Sequence, residues 1–362
     1  MSLTRPEQLK HMTDPPPEGV NVPRVPYAAE SVPERHYTHH EGRGTTPHRS
    51  NPKVVHREIS TLDVHEGMNV VEFGTGSGYS GALLAELVGP AGRVTSIDID
   101  TYLVKWANLI HHERGLGNVR CHVADGTAGF AEHAPYDRTV AWCTPLLLPR
   151  AWVDQTADGG LIVAPLPIAG VPNMTVVTKV RVHSGEPTVE QAFNGGYIEA
   201  TASPKTDLDL PGRWVDWENR VPAPSWISIA WRNSDDHLHT GARTTLARLL
   251  KDAHTEPYEG KDIDWPSWRT FAASLDDPQL TMAGLSPNLW AIGHTTATTA
   301  AVLQQDGTII ADHPDSPSLT VLRDWLSAWE TASRPAPETY TPALVRCDDG
   351  RENAGWNLRL TQ

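Results

Sequence analysis

Hydrophobic and polar positions along this 362-residue chain follow two different periods. Between residues 52 and 166, short apolar runs of strand length alternate with stretches whose apolar residues recur every three or four positions, the spacing of a helix face. The predicted strands are 69–73, 93–97, 119–123, 136–143 and 161–166, and the predicted helices are 52–62, 80–88, 102–114 and 149–155. Strands that alternate with helices predict a parallel sheet with helices on both faces.

The pattern changes after this α/β stretch. Residues 175–183 and 188–192 alternate apolar and polar positions, which predicts antiparallel strands that finish the sheet. Beyond residue 204 we predict strands at 225–231, 289–294, 300–304 and 308–311, and a helix at 319–331 that buries Leu319, Leu322, Leu326 and Trp329. Ten of the 13 tryptophans lie in this last part, which marks a second structural unit. The prediction is an extended, proline-rich arm (1–35), an α/β domain (36–203) and a Trp-rich accessory domain (204–362).

Composition narrows the class of protein. Apolar residues make up 39% and charged residues 20%, as in a globular protein, and the formal net charge is −14. An acidic chain disfavours a general nucleic-acid binder, which needs a basic face. No apolar run is long enough to cross a bilayer, and no signal peptide opens the chain. Three cysteines without metal-type spacing predict free thiols in a reducing cytosol, and we expect no metal site.

Residues 70–79 carry the most specific chemical pattern. An apolar pair leads into Glu72, and glycines follow at positions 74, 76 and 78. A second predicted strand closes on Asp98. Glycines let a backbone approach a ligand closely, and a carboxylate at the next strand end can accept hydrogen bonds from ribose hydroxyls. The combination of strand, turn, helix and acid predicts a nucleoside site at the carboxyl ends of the strands.

The spacing of the glycines separates two kinds of nucleoside cofactor. A dinucleotide fingerprint places its third glycine two residues further on. The shorter acid-x-Gly-x-Gly-x-Gly pattern is the one associated with S-adenosylmethionine, and Glu72 can meet the amine end of that cofactor. We therefore predict a methyltransferase, with an oxidoreductase as the alternative.

Several segments together resemble the protein-L-isoaspartate O-methyltransferase family. Residues 70–87, VVEFGTGSGYSGALLAEL, resemble its cofactor loop, and residues 94–98, VTSID, resemble its second strand. An Asp-Gly pair at 125–126, an Ala-Pro-Tyr-Asp turn at 134–137 and an Asp-Gly-Gly-Leu turn at 158–161 follow in the family's order. Ahead of the loop, residues 42–52 resemble its Gly-x-Gly-x-Thr and Ser-x-Pro segment. The resemblance spans residues 35–203 and is collinear.

This resemblance implies a fold and a set of site residues. The fold is α/β, a doubly wound, mostly parallel sheet of the class I S-adenosylmethionine-dependent methyltransferase type, followed by a C-terminal α+β accessory domain. Ser50 becomes the catalytic candidate beside the reacting carboxylate. The expected substrate contacts are Arg43, Thr46, Arg49, Asn51 and Lys53. The expected cofactor contacts are Glu72, Gly74, Thr75, Gly76, Ser77, Gly78, Tyr79, Asp98, Ile99, Asp125, Gly126 and Thr144.

Departures from the family pattern fall on the substrate side. Residues 47–49 lengthen the loop before Ser50, Lys53 replaces a histidine or aromatic residue, and a long extension follows the core. The extension resembles enlarged relatives that methylate an aspartate of a ribosomally made, modified peptide, after which the ester cyclises to an aspartimide. That reaction, with S-adenosylhomocysteine as product, is our main hypothesis. The alternatives are repair of isoaspartyl residues in damaged proteins, and a peptide- or RNA-binding module on a methyltransferase fold.

Overall fold

The computed structural model describes residues 24–40, 44–46, 49–204, 210–232, 241–286, 289–347 and 354–362. The chain forms two compact units. The first is Met1–Trp142 with Asp154–Val163, and the second is Cys143–Val153 with Ala164–Gln362. The domain boundary expected at residue 204 stays a prediction. None of the described helices is both long and apolar enough to cross a membrane.

Short elements open the described part of the first unit. They are helix α1 (Arg24–Ser31), helix α2 (Glu34–Thr38), strands β1 (His39–His40) and β2 (Gly44–Thr45), and helix α3 (Pro52–Leu62). The extended arm predicted up to residue 35 is therefore wrong at α1 and at the start of α2. Pro26 lies in the first turn of α1, where backbone N–H groups have no helical partner, so proline does not oppose a helix there. Burial of Val25 and Ala28 stabilises α1.

A parallel sheet forms the centre of the first unit. The next elements in the chain are β3 (Asn69–Phe73), α4 (Tyr79–Val88), β4 (Arg93–Asp98), α5 (Thr101–Glu113), β5 (Val119–Val123), β6 (Tyr136–Ala141), β7 (Leu148–Pro149), α6 (Arg150–Asp154) and β8 (Thr156–Pro167). In this unit the strand order is β8-β6-β3-β4-β5, and all neighbours are parallel. The order reverses between β3 and β6, which makes the carboxyl end of β3 a topological switch point, the usual ligand site of such sheets. The predicted parallel, doubly wound sheet is confirmed.

Helices α4 and α5 position the loops at that end of the sheet. Every residue of α4 except Glu86 is buried, and α1 packs against this helix. Helix α5 begins at the cap Asp100, whose carboxylate accepts from two backbone N–H groups of the first turn. It packs on β5 through Val104, Ala107 and Cys121. The loop after β3 therefore leads into a buried helix, and the loop after β4 leads into a capped one.

The second unit is rich in antiparallel strands. Its further elements are β9 (Thr175–His183), β10 (Glu186–Asn194), β11 (Trp217–Asn219), β12 (Ser225–Ile229), α7 (Ala242–Leu250), β13 (His254–Pro257), α8 (Trp265–Ser274), β14 (Leu280–Ser286), β15 (Leu289–Thr295), β16 (Ala300–Gln304), β17 (Thr308–Ala311), α9 (Pro317–Thr331), β18 (Thr341–Cys347) and β19 (Gly355–Thr361). Strands β9 and β10 pair antiparallel, as predicted. An antiparallel sheet has the order β11-β12-β14-β15-β16-β17-β13, and a smaller sheet has the order β18-β19-β7.

Tryptophans fill the core of the second unit. Trp268 and Trp329 have no exposed surface, and Trp329 Nε1 donates to Ser267 Oγ at 2.8 Å. The four apolar residues predicted to be buried on α9 are all buried, so that prediction is confirmed. Helices α7 and α8 were not predicted.

Candidate functional site

The glycines of the loop after β3 have three different environments. Gly74, Gly76 and Gly78 all have positive φ angles, of 99°, 51° and 84°, which glycine adopts without strain. A Cβ on Gly78 would lie 2.8 Å from Ala107 Cβ, and one on Gly74 would lie 3.2 Å from Trp142 Cβ. A Cβ on Gly76 would have no described atom within 4 Å. Two glycines are thus needed for packing, while Gly76 faces open space. We call residues 72–79 the cofactor loop.

Glu72 begins this loop with a completely buried carboxylate. Ser80 Oγ and Trp142 Nε1 donate to Oε2 at 2.6 and 2.9 Å, and Ser96 Oγ donates to Oε1 at 2.7 Å. Burial raises the pKa of Glu72, and these three donors oppose the rise. A Cβ on Gly81 would lie only 2.7 Å from Oε1, so the glycine makes room for the acid. Glu72 ties the loop to α4 and β4; its predicted cofactor contact stays a prediction.

Asp98 at the end of β4 fixes the open part of the loop. Its Oδ2 accepts from the Gly76 N–H at 3.0 Å, and its Oδ1 accepts from the Asp100 N–H at 2.9 Å. Burial raises the pKa of Asp98 from its ordinary value. Asp98 and the neighbouring Ile99 are both partly exposed residues. The structure therefore brings the predicted acid and the open glycine together.

The other predicted residues of the loop make contacts within the protein. Thr75 is buried, and its Oγ1 lies 2.6 Å from Ser96 Oγ. Ser77 Oγ accepts from the Tyr79 N–H at 3.3 Å, at the start of α4. Tyr79 is buried, and its hydroxyl lies 2.8 Å from His56 Nε2 on α3. The Tyr79 hydroxyl thus links the loop to α3, a partner that the sequence analysis did not identify.

The Asp-Gly pair after β5 forms a short helical turn, Gly126–Ala128. Asp125 is exposed, and its Oδ1 accepts from the backbone N–H and the hydroxyl of Thr127 at 2.9 and 2.7 Å. A Cβ on Gly126 would lie 2.9 Å from Phe73 Cδ1, at the carboxyl end of β3. This close packing brings the Asp-Gly turn beside the carboxyl end of β3, and its cofactor contact stays a prediction.

Thr144 belongs to the second unit. It is buried, and its Oγ1 donates to the Tyr197 carbonyl at 2.8 Å. Its own carbonyl accepts from Arg213 Nη1 at 3.0 Å. The hydroxyl is therefore engaged inside that unit, and its cofactor role stays a prediction.

The predicted substrate residues between 43 and 53 are held by different partners. Arg43 lies outside the described residues. Thr46 is buried, its N–H donates to the Thr38 carbonyl at 2.9 Å, and its Oγ1 lies 3.1 Å from His40 Nε2. The His40 ring packs on the Trp106 ring, with centroids 3.9 Å apart. Thr46 is thus anchored to α2 and α5.

Residues 49–53, which we call the substrate segment, are more open. Arg49 is partly exposed and donates from Nε to Glu34 Oε1 at 2.7 Å. Half-buried Ser50 precedes Asn51, the N-cap of α3, whose Oδ1 accepts from the Lys53 N–H at 3.0 Å. Lys53 itself is exposed. Asn51 therefore has a capping role here, and its substrate contact stays a prediction.

His111 on α5 is a buried titratable group that the sequence analysis did not identify. It lies behind the cofactor loop, with Nε2 3.3 Å from the position of a Cβ on Gly78. Neither ring nitrogen has a hydrogen-bond partner within the described part of the chain. Burial, aided by the charge of Arg114, lowers the pKa of His111 to about 4. The environment behind Gly78 thus favours the neutral form of the His111 ring.

Metal-binding side chains do not converge in the described ranges. No group of three or more histidine, cysteine, aspartate or glutamate residues there is placed to hold an ion.

Sheet order, glycine turn and acid define an α/β nucleoside-binding domain of the methyltransferase type. Residues 20–202 match the model of the family described as protein-L-isoaspartate(D-aspartate) O-methyltransferase. Protein-L-isoaspartate O-methyltransferase 1 of Syntrophobacter fumaroxidans is 32% identical over 198 residues, which are 54% of this chain and 85% of that protein. The chain belongs to this family, whose members depend on S-adenosylmethionine.

Other relatives match over a shorter range. Protein-L-isoaspartate O-methyltransferase of Methanococcus maripaludis strain C5 is 42% identical over 105 residues, 29% of this chain and 50% of that protein. The chain thus spans about half the length of such relatives. A solved structure described as a putative protein-L-isoaspartate O-methyltransferase from Plasmodium falciparum, in complex with S-adenosyl-L-homocysteine, has 14% identity, a TM-score of 0.42, and coverage of 54% of this chain and 94% of its own. That likeness carries no conclusion about this chain.

Proposed function

We propose that this chain is an S-adenosylmethionine-dependent carboxyl O-methyltransferase. Its proposed substrate is an aspartate side chain of a ribosomally made, modified peptide, and the methyl ester then cyclises to an aspartimide. The observation that supports the methyltransferase reaction is the open face of Gly76 beside Asp98, in a member of this family. The peptide substrate is supported by the second unit, because the family match ends at residue 202 and the chain continues to residue 362.

The residues at the carboxyl ends of β3, β4 and β5 fit the cofactor. Gly76 offers an approachable backbone, Asp98 is a partly exposed residue whose carboxylate can accept from ribose hydroxyls, and Asp125 is exposed at the neighbouring turn. When bound, S-adenosylmethionine supplies an electrophilic methyl group. Because Asp98 is already held by two backbone N–H groups, its orientation is set before a ligand arrives. We expect this preorganisation to favour binding.

The methyl acceptor needs positioning more than activation. A carboxylate has a reference pKa near 4, so it is ionised at neutral pH and needs no general base. Alignment of two bound reactants can supply on the order of 7–11 kcal/mol. Ser50 and Arg49 are the proposed residues for holding the acceptor, Ser50 by its hydroxyl and Arg49 by its charge. The chain then has no proton to remove during the transfer.

The ester that forms is a better electrophile than the acid. The backbone amide nitrogen that follows the esterified residue attacks the ester carbonyl, the C–N bond closes the imide ring, and methanol leaves with the amide proton. This step uses atoms of the peptide alone. The chain therefore has to make the ester and release it.

Repair of isoaspartyl residues is the second candidate, and family membership favours it. An isoaspartyl residue also carries an ionised carboxylate, so it too would need positioning and no general base. The longer loop before Ser50 favours a different substrate. A binding module is the third candidate, and biological activity that survives Asp98→Ala would support it.

Mass spectrometry of synthetic peptides separates these candidates. Peptides that differ only in having Asp, isoaspartate or Asn at one position are incubated with the chain and S-adenosylmethionine. Gain of a methyl group and then loss of methanol on the Asp peptide is the expected result. Methylation of the isoaspartyl peptide alone would select repair. Absence of methylation on all three would count against the proposed enzyme.

A further inference from the structure

Arg49 already binds a carboxylate that belongs to the same chain. Its Nε and Nη2 both lie 2.7 Å from Glu34 Oε1, and the two side chains are 38% and 24% exposed. Glu34 is the first residue of α2, and Arg49 directly precedes Ser50. The carboxylate of Glu34 is thus bound to Arg49, the same arginine that is proposed to bind the carboxylate of the substrate.

The position of Glu34 relates this pair to the cofactor loop. Burial raises the pKa of Tyr79 to about 12, and the negative charge of Glu34 adds to the rise. Tyr79 directly follows Gly78 and begins α4. Tyr37, on the helix that Glu34 begins, has its ring centroid 6.4 Å from that of Tyr79. Helix α2 therefore packs beside the loop near which the methyl acceptor has to lie.

We propose that Glu34 stands in for the substrate carboxylate in the free enzyme and that the peptide's acidic side chain replaces it on Arg49. Glu34 is then a positioning residue, which acts through Arg49 and sets the specificity for an ionised acceptor. This inference rests on the proposed function, because it takes Arg49 as a substrate contact.

The energetics favour such an exchange. A partly exposed ion pair contributes little to stability, so opening it costs little. The incoming carboxylate restores the same charge-assisted hydrogen bonds that Glu34 gives up. A neutral amide cannot restore them, so an Asn side chain would leave Glu34 in place. The exchange thereby selects an ionised group over a neutral group of similar shape.

The test is peptide binding to the S-adenosylhomocysteine-saturated protein by calorimetry, with a synthetic Asp peptide and its Asn counterpart as probes. Glu34→Gln keeps the size of the side chain and removes the competing charge. It should lower the Kd of the Asp peptide about two- to fivefold, as expected for a partly exposed pair, and leave that of the Asn peptide unchanged. In an Arg49→Gln background the same substitution should change neither Kd.

Glu256→Gln is the matched control. Glu256 pairs with Arg323 at 2.6 Å, with side chains 23% and 51% exposed, in the second unit. It should leave both Kd values unchanged. A Glu34→Gln variant that binds the Asp peptide equally or more weakly would overturn the exchange, as would equal gains for both peptides or failure of the Asp peptide to bind. Methylation in the mass-spectrometric assay is measured separately, so an absence of turnover would count against the proposed function and not against the exchange.

Discussion

The cofactor loop and the substrate segment lie in the same unit, yet they are held by different forces. Packing and buried hydrogen bonds fix the cofactor loop: Gly78 has no room for a Cβ, and Glu72 accepts from three donors. The substrate segment is held by a partly exposed ion pair at Arg49 and by the helix cap at Asn51. The comparison suggests a rigid side that binds the cofactor and an adjustable side on which substrate choice can change.

Replacing Gly78 or Gly76 by alanine tests most sharply whether the cofactor loop is rigid, because each substitution adds a single methyl group. Gly78→Ala should cost about 3 kcal/mol in the free energy of unfolding, because it combines a positive φ with overpacking. Gly76→Ala also places an L-residue at a positive φ, but its Cβ has free space. We therefore expect it to lower the free energy of unfolding by only about 1 kcal/mol. Urea unfolding of both variants measures the difference. Equal losses would show that the packing around Gly78 yields and that the loop is not rigid.

The pH dependence of stability tests whether the environment behind Gly78 favours the neutral form of His111. The pKa of His111 falls from 6.5 to about 4 on folding, so the folded state binds fewer protons than the unfolded state in this range. The free energy of unfolding should therefore fall as pH drops from 6.5 to 4, by about 3 kcal/mol from this residue. In urea unfolding, His111→Leu should reduce this loss by about 3 kcal/mol, and His56, His122 and His294, whose pKa values burial also lowers, should account for a slope that remains.

His112→Leu is the control for this prediction. His112 is the next residue of α5 and is exposed. Its substitution should leave the slope in place. If the slope is as steep in His111→Leu as in the wild-type chain, His111 contributes nothing to it, and the environment behind Gly78 is more polar than the account requires.

Ser50→Ala tests whether the substrate segment contributes to methyl transfer. We expect kcat/KM for the peptide to fall about tenfold, a loss of about 1.4 kcal/mol of transition-state stabilisation. The Kd for S-adenosylmethionine should stay unchanged, because the loop on the rigid side is untouched. Ser60→Ala, at an exposed position of α3, is the control. Parallel losses of activity and of cofactor affinity would mean that Ser50 supports the fold instead.

Substitutions of Asn51 should have the smallest effect, and the effect should be on stability. As the N-cap of α3, Asn51 should cost about 1 kcal/mol of stability when replaced by Ala, and much less when replaced by Asp, which also caps. Thermal unfolding measures both. If Asn51→Asp keeps stability but loses peptide turnover, Asn51 contacts the substrate as well. If both variants keep turnover in proportion to their folded fraction, its role is capping alone.

The same contrast explains what could be predicted from the sequence. The parallel strands and their helices follow from apolar periodicity, because a strand or helix face is a local property of the sequence. The glycine turn and Asp98 could be found because their backbone requirements limit which residues can stand there. The residues of the cofactor loop can therefore be predicted from the sequence immediately around them.

The partners on the substrate side could not be found in this way. Glu34 meets Arg49 across 15 positions, and His56 meets Tyr79 across 23, with no local pattern to connect them. Glu72 has an internal network because Ser80 on α4, Ser96 on β4 and Trp142 after β6 converge on it. The prolines of the arm indicated an extended segment, yet the first turn of α1 accommodates Pro26. In each case tertiary contacts decide the outcome.

Calorimetric titration with S-adenosylmethionine tests the central claim most directly. The account predicts saturable binding to the folded wild-type chain, strongly weakened in Asp98→Ala, with no binding of NAD⁺ to either protein. Circular dichroism of both proteins would establish that they are folded. A folded wild-type chain that fails to bind S-adenosylmethionine, or that binds NAD⁺ in its place, would contradict the account.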